Sequence, residues 1–230
     1  MTILRKTPVA LSTDAAPFAI RSERGSDTIA RETLLDACFG ANRSLRTCQR
    51  LREGRAPAEG LALSAVRQGK LVGTVRLWHV SAGGVPALVL GPLAVDPSCR
   101  KLGIGRALMN HALAAARARG HGAVILLGDE PYYARFGFSA QKACRLSLPG
   151  PFARDRLLGL ELRQGALEGV SGMIVPTGVQ EPFQAKWKPD RVKNTRQIRN
   201  PEPRFDSIET APKTKATRAK KALRTVPCAA

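Results

Sequence analysis

At 230 residues the chain can hold one domain of ordinary size with a buried core, plus an extension, without disulfide or metal staples. Its composition, 43% hydrophobic, 5% aromatic and 24% charged, is that of a globular protein, and its most apolar stretch, Val85 to Val95, is too short and too interrupted by Pro86, Gly91 and Pro92 to cross a bilayer. The 37 Lys+Arg against 18 Asp+Glu give a net charge of +19, which predicts attraction to something anionic: nucleotide phosphates, nucleic acid or an acidic membrane surface.

Residues 1–16 read as a loose leader, and no unbroken apolar region follows Arg5 and Lys6, which argues against a secretory signal. Phe18–Glu23 can start a strand, and Ser26 or Asp27 can cap a helix running to about Phe39. A second, shorter helix is expected from Ser44 to Glu53. Leu61–Arg67 and Leu71–Val80 are β-rich runs around Gln68-Gly69-Lys70, a hairpin signal. Ala87–Val95 is continuously apolar and is expected to be a strand buried on both faces. After Asp96-Pro97 and a glycine-rich turn, a helix is expected from about Gly103 to Arg119, stopped by Gly120 and Gly122. Ala123–Leu127 completes a parallel βαβ unit. The expected fold class is α/β, a mixed sheet with helices on both faces. Residues 181–230 differ sharply from the rest: 13 Lys+Arg against 5 Asp+Glu, six prolines and almost no apolar periodicity. Such a segment cannot bury enough surface to offset its ordering entropy, and it is expected to be a basic, largely disordered tail.

The segment that carries chemistry is Arg100-Lys101-Leu102-Gly103-Ile104-Gly105-Arg106, between strand and helix. A helix N-terminus offers unpaired N–H groups and the positive end of a dipole. Glycines let a bulky anion approach the backbone, and Arg100, Lys101 and Arg106 add charge. The turn therefore reads as a pyrophosphate cradle. The dinucleotide fingerprint G-x-G-x-x-G fails at Leu108, and the P-loop pattern is absent.

What remains, R-x-x-G-x-G, resembles the coenzyme A signature of the GCN5-related N-acetyltransferases (GNAT), Q/R-x-x-G-x-G/A. It follows Gly91-Pro92-Leu93-Ala94-Val95-Asp96-Pro97, as the fourth strand of that family precedes its loop, and Tyr132-Tyr133-Ala134-Arg135-Phe136-Gly137-Phe138 resembles the family's Y-x-x-x-G-F segment. The combination is most similar to the YhbS-type subgroup. The resemblance spans residues 17–165, leaving 166–180 as an extension of the domain and 181–230 as the tail. It implies a mostly antiparallel sheet with a central, splayed parallel strand pair, and acetyl-CoA as co-substrate without a metal. It implies main-chain pairing of pantetheine with Leu93 and Val95, and the diphosphate on N–H groups from Lys101 through Leu102, Gly103, Ile104 and Gly105 to Arg106. A main-chain N–H near Ala94 or Val95 would polarise the thioester. Tyr133, four residues before Gly137, is the implied general acid, with Tyr132 in reserve. Transfer to the amine would be direct, without a covalent enzyme intermediate.

The family often carries a glutamate on its fourth strand, whereas Ala87–Val95 contains no acidic residue. Asp129, Glu130 and His79 are the alternatives for a base, beside a water-mediated route or an amine that arrives partly deprotonated. His111 falls within the apolar periodicity of its helix and is expected to be partly buried, and His121, between glycines, to face solvent. Arg43, Arg46, Arg50, Arg52 and Arg55 form a basic rim that would suit an anionic acceptor. The acceptor, small molecule or protein, is not legible, and neither is the choice between monomer and homodimer. Five scattered cysteines without a C-x-x-C pair suit free thiols in a reducing cytoplasm, and three histidines without ligand spacing argue against structural zinc. The tail supports an alternative reading, a protein tethered to RNA, ribosomes or DNA by non-specific phosphate contact through Lys213, Lys215, Arg218, Lys220, Lys221 and Arg224, with the domain serving as an acyl-CoA-binding module.

Overall fold

The first strand, β1 (Ala19–Ser22), is an edge strand and pairs antiparallel with β2 (Ala62–Arg67). A two-residue turn, Gln68-Gly69, with φ of +50° and +75°, joins β2 to β3 (Lys70–Ala82). Positive φ at both central residues twists the turn in the sense of the flanking strands. This computed structural model describes residues 17–181; the expected leader, 1–16, and the tail beyond Glu181 lie outside the described residues.

Between β1 and β2 the chain forms helix α1 (Thr28–Phe39) and then two 3₁₀ turns, Ala41–Leu45 and Thr47–Leu51. The second helix expected over Ser44–Glu53 is thus replaced by turns, broken where Arg46 is extended at φ −70°, ψ 142°. Tertiary bonds hold them in place of a helical ladder. Thr47 and Arg50 donate to the carbonyls of Pro151 and Pro149, and Leu51 is fully buried. β3 continues into β4 (Val85–Val95), α2 (Ile104–Ala118), β5 (Ala123–Leu127), the single-turn α3 (Glu130–Tyr133), β6 (Leu146–Ser147), β7 (Leu157–Glu161) and β8 (Gly172–Pro176).

The sheet order is β1-β2-β3-β4-β5-β7, with β8 beside the far end of β3 and β6 beside β8. All main-path pairs are antiparallel except β4–β5, which is parallel. Helices cover both faces, as the sequence predicts. On one face Ile104, Leu108, Met109 and Ala112 of α2 pack over Leu77, Leu88, Val124 and Leu126. On the other, Trp78, Val89 and Ile125 meet Leu51, Leu146 and Ile174, while Leu34 and Leu35 of α1 cover Ala94. Among the described residues Cys38, Cys48 and Cys99 are free thiols, as expected for these positions. No helix among the described residues is long and apolar enough to cross a membrane.

Buried charge fixes α1 to the sheet. Asp27, 7% exposed, accepts from both Arg21 guanidinium nitrogens at 2.6 and 2.8 Å, the Arg24 backbone N–H at 2.9 Å and the Ser64 hydroxyl at 3.1 Å. Beside it, Glu23 accepts from Arg31 and Arg76. The Arg21 hydrogen bonds hold the Asp27 carboxyl far below its ordinary value of 3.8, overcoming the opposing effect of burial. Its stabilisation is present above that unfolded value and is lost as pH falls from there toward the folded one. Asp27→Asn is expected to lower stability at pH 7 by about 2–3 kcal/mol in urea denaturation, the gap to wild type narrowing below pH 3.8. A gap that is constant with pH would contradict the assignment.

Candidate active site

The parallel pairing of β4 and β5 covers two residue pairs, Leu88–Val124 and Val89–Ile125. Beyond them β4 runs on to Val95 and β5 to Leu127 without further pairing, so the strands diverge and leave facing backbone edges. A bulge aids the divergence. Gly91 and Pro92 together oppose Arg76 alone, since Leu90 pairs with Leu77 and Leu93 with Val75. The Gly91 carbonyl accepts from the Trp78 indole at 2.6 Å. β4 is therefore continuously buried from Ala87 to Leu90 and half-buried at Gly91, Pro92 and Leu93, where its neighbour has moved away, before Ala94 is buried again under α1.

One end of the divergence leads to the glycine turn. Asp96 accepts from Ser98 N–H at 2.8 Å, which sets a 3₁₀ turn over Pro97–Cys99. Lys101 and Gly103 then take left-handed φ of +74° and +76°, and α2 begins at Ile104. Alternating conformations of this kind turn successive N–H groups toward one concavity, and a helix's first-turn N–H groups have no intrahelical partner. A Cβ on Gly105 would lie 3.0 Å from the Tyr132 hydroxyl and 3.6 Å from Val95 Cγ2, so this concavity tolerates only glycine without displacement. The Tyr132 ring is itself clamped by the Arg135 guanidinium, 4.9 Å from its centroid.

The other side opens into a cleft of about 720 Å³, lined by residues of α1, the 3₁₀ turns, Trp78, the Leu90–Leu93 bulge, the end of β5 and Tyr133. Tyr133 packs edge-on against Tyr132 at 4.9 Å and Phe138 at 6.0 Å between ring centroids. Gly128 makes room for it: a Cβ there would stand 2.3 Å from Tyr133 Cε2. Burial pushes the Tyr133 phenol up to about 12, with Tyr132 and Asp129 adding to the effect. Its proton is thus held firmly at neutral pH. The arrangement joins a turn of unpaired N–H groups, a strand edge unpaired with β5 and a protonated phenol along one split in the sheet.

Residues 29–138 match the family model "Acetyltransferase (GNAT) family". Over 157 residues the chain is 30% identical to the uncharacterized N-acetyltransferase YhbS of Escherichia coli strain K12, a match covering 67% of this chain and 93% of that protein. The chain belongs to the GNAT acetyltransferase family. The crystal structure of Escherichia coli YhbS in complex with CoA superposes with a TM-score of 0.62 at 28% identity, covering 76% of this chain and 94% of that one. The uncharacterized N-acetyltransferase YjhQ of the same organism is 31% identical over 104 residues, 44% of this chain and 58% of that protein.

Within this GNAT fold the residues singled out from sequence fall into two groups. Leu93, Ala94 and Val95 lie on the diverging half of β4, and the Val95 carbonyl accepts from the Cys38 thiol at 3.4 Å. Arg100, Lys101, Leu102, Gly103, Ile104, Gly105 and Arg106 form the turn and first helical residues, and Tyr133 lines the cleft whereas Tyr132 stands over the turn. The candidate bases separate. Asp129 lines the cleft and pairs with Arg156 at 3.1 Å. Glu130 instead accepts the Ala140 N–H, and His79 stacks on His121 at 5.4 Å at the closed end of the sheet. His121 is thereby half-buried rather than in solvent, and His111 is exposed rather than partly buried. Sequence reasoning misses Glu32, Trp78 and Arg156 as cleft residues, because nothing in their local pattern distinguishes them. Burial alone would raise the Glu32 carboxyl, but Arg43 and Arg31 hold it below its ordinary value. No group of three or more His, Cys, Asp or Glu among the described residues could hold a metal ion.

The chain has two tyrosines, Tyr132 and Tyr133, both shifted upward by burial, so an ultraviolet titration reads them directly. At pH 10, where an ordinary phenol is half ionised, less than about a tenth of the Tyr133 signal is expected in Tyr132→Phe. A midpoint near 10 would contradict the buried placement.

Proposed function

We propose that the chain moves an acetyl group directly from acetyl-CoA to a primary amine held in the cleft. The observation that carries this reading is the split between β4 and β5, bounded by the glycine turn at one end and the Tyr133 phenol at the other. Acetyl-CoA supplies an activated thioester. The chain supplies position and charge. The first-turn N–H groups of Ile104, Gly105 and Arg106, with the side chains of Arg100, Lys101 and Arg106, are suited to a diphosphate. The edge of β4 at Leu93 and Val95 has main-chain groups unpaired with β5 that suit pantetheine amides, as an added strand would, although the Val95 carbonyl already accepts from the Cys38 thiol. A backbone N–H near Ala94 or Val95 would then polarise the thioester carbonyl.

Tyr133 serves as proton donor to the departing thiolate. A phenol held protonated to about pH 12 is always in the donor form at neutral pH. Each cleft carboxylate already has a cation partner, Glu32 with Arg31 and Arg43, and Asp129 with Arg156. The amine therefore loses its proton to water, or arrives without it.

Tyr133→Phe tests the assignment by removing one hydroxyl and little volume. Turnover, read as CoA thiol released per second, is expected to fall on the order of 10²-fold with acetyl-CoA affinity unchanged. Full turnover in the variant would remove Tyr133 from the mechanism.

A further inference from the structure

The cleft holds a cation that the steps above do not use. Arg52 follows the second 3₁₀ turn, and its side chain runs beneath the β4 bulge, with Nη1 3.6 Å from the point a Cβ on Gly91 would occupy. Its Nε is buried without a hydrogen-bond partner. Burial, with Arg43, Arg76 and Arg46 nearby, pushes the guanidinium down to about 10, so it is charged at neutral pH while poorly solvated. The other charged residues of the cleft are differently placed. Arg43 is bonded to Glu32 and Asp36, Arg156 to Asp129, and Glu32 is shared by two arginines. Arg46, at the mouth, lies over the Phe39 ring and donates to the Phe39 carbonyl, with no carboxylate.

A buried guanidinium N–H such as that of Arg52 Nε is costly to leave without an acceptor, and an oxyanion is the group that matches the planar fork of the half-buried side chain. We infer that the acceptor is a small primary amine bearing a carboxylate or phosphate group, bound by Arg52 with help from Arg46 at the cleft mouth. The inference rests on the acetyl-transfer reading for the reaction and adds the substrate class. A small acceptor suits the geometry, since Arg52 lies within the cleft beside Gly91 and not on an open face. The carboxylates present are committed to other arginines, so an incoming oxyanion meets an unmatched positive field.

The test is a matched panel titrated calorimetrically into the full chain, alone and with CoA: β-alanine and 2-aminoethyl phosphate against β-alaninamide and ethanolamine. At least one oxyanion-bearing amine is expected to bind roughly tenfold to a hundredfold more tightly than its neutral partner, and to be acetylated in the same order. The stronger of the two separates carboxylate from phosphate. Arg52→Gln is expected to abolish the preference without changing CoA affinity, and Arg52→Lys to keep part of it. Should the glutamine variant fail to fold, the wild-type panel and the lysine variant decide. Equal binding of charged and neutral amines, no binding of either anionic amine, or an undiminished preference in Arg52→Gln would overturn the inference. Loss of acetyl-CoA binding or of all transfer would instead strike the underlying reading, and it is read from the cofactor titration and the release of CoA thiol, separately from amine binding.

Discussion

Everything distinctive about this fold follows from two strands that begin to pair and then stop. Buried backbone N–H and C=O groups need partners, and a parallel pair that ends after Leu88–Val124 and Val89–Ile125 leaves two facing edges without them. The chain accommodates this with a bulge at Gly91-Pro92, a polar turn anchored by Asp96, and a helix whose N-terminus lies where β4 ends. The closed end of the sheet carries the core, with Leu88, Val124 and Leu126 under α2 and Val89 and Ile125 on the opposite face. Stability and the open site are thus segregated along the same strands.

Charge is segregated as well. Among the described residues several carboxylates are committed to particular arginines. Asp27 and Glu23 pin α1 to the first strands, while Glu32, Asp36 and Asp129 restrain arginines around the cleft. Among the basic residues outside these pairs are Arg100, Lys101 and Arg106 at the glycine turn and Arg52 beneath the bulge.

The centre of the molecule was legible in the sequence because local pattern and fold agree there. β5 occupies the expected Ala123–Leu127, and α2, Ile104–Ala118, departs by one residue at each end from the expected Gly103–Arg119. Gln68-Gly69 forms the expected hairpin turn. Legibility fails where long-range contacts decide. The stretch around Thr47–Leu51 has the composition of a helix but is shaped by bonds to Pro149 and Pro151 about a hundred residues away. β7 and β8 are short, and they owe their strand form to pairing with β5 and β3. In the site, a motif announces the glycine turn and Tyr133. Arg52 and Glu32 come to the cleft from different segments, and only the tertiary fold brings them together.

The central claim is that the divergence of β4 and β5 with the glycine turn forms a cofactor cleft. Calorimetric titration of the folded chain with acetyl-CoA, with NAD and ATP as controls, tests it most directly, Gly105→Glu serving as the blocked form. The account predicts selective binding of acetyl-CoA and its loss in Gly105→Glu, where charge and bulk would fill the concavity beside Tyr132. No binding by folded wild type, or equal affinity in the glutamate variant, would contradict it.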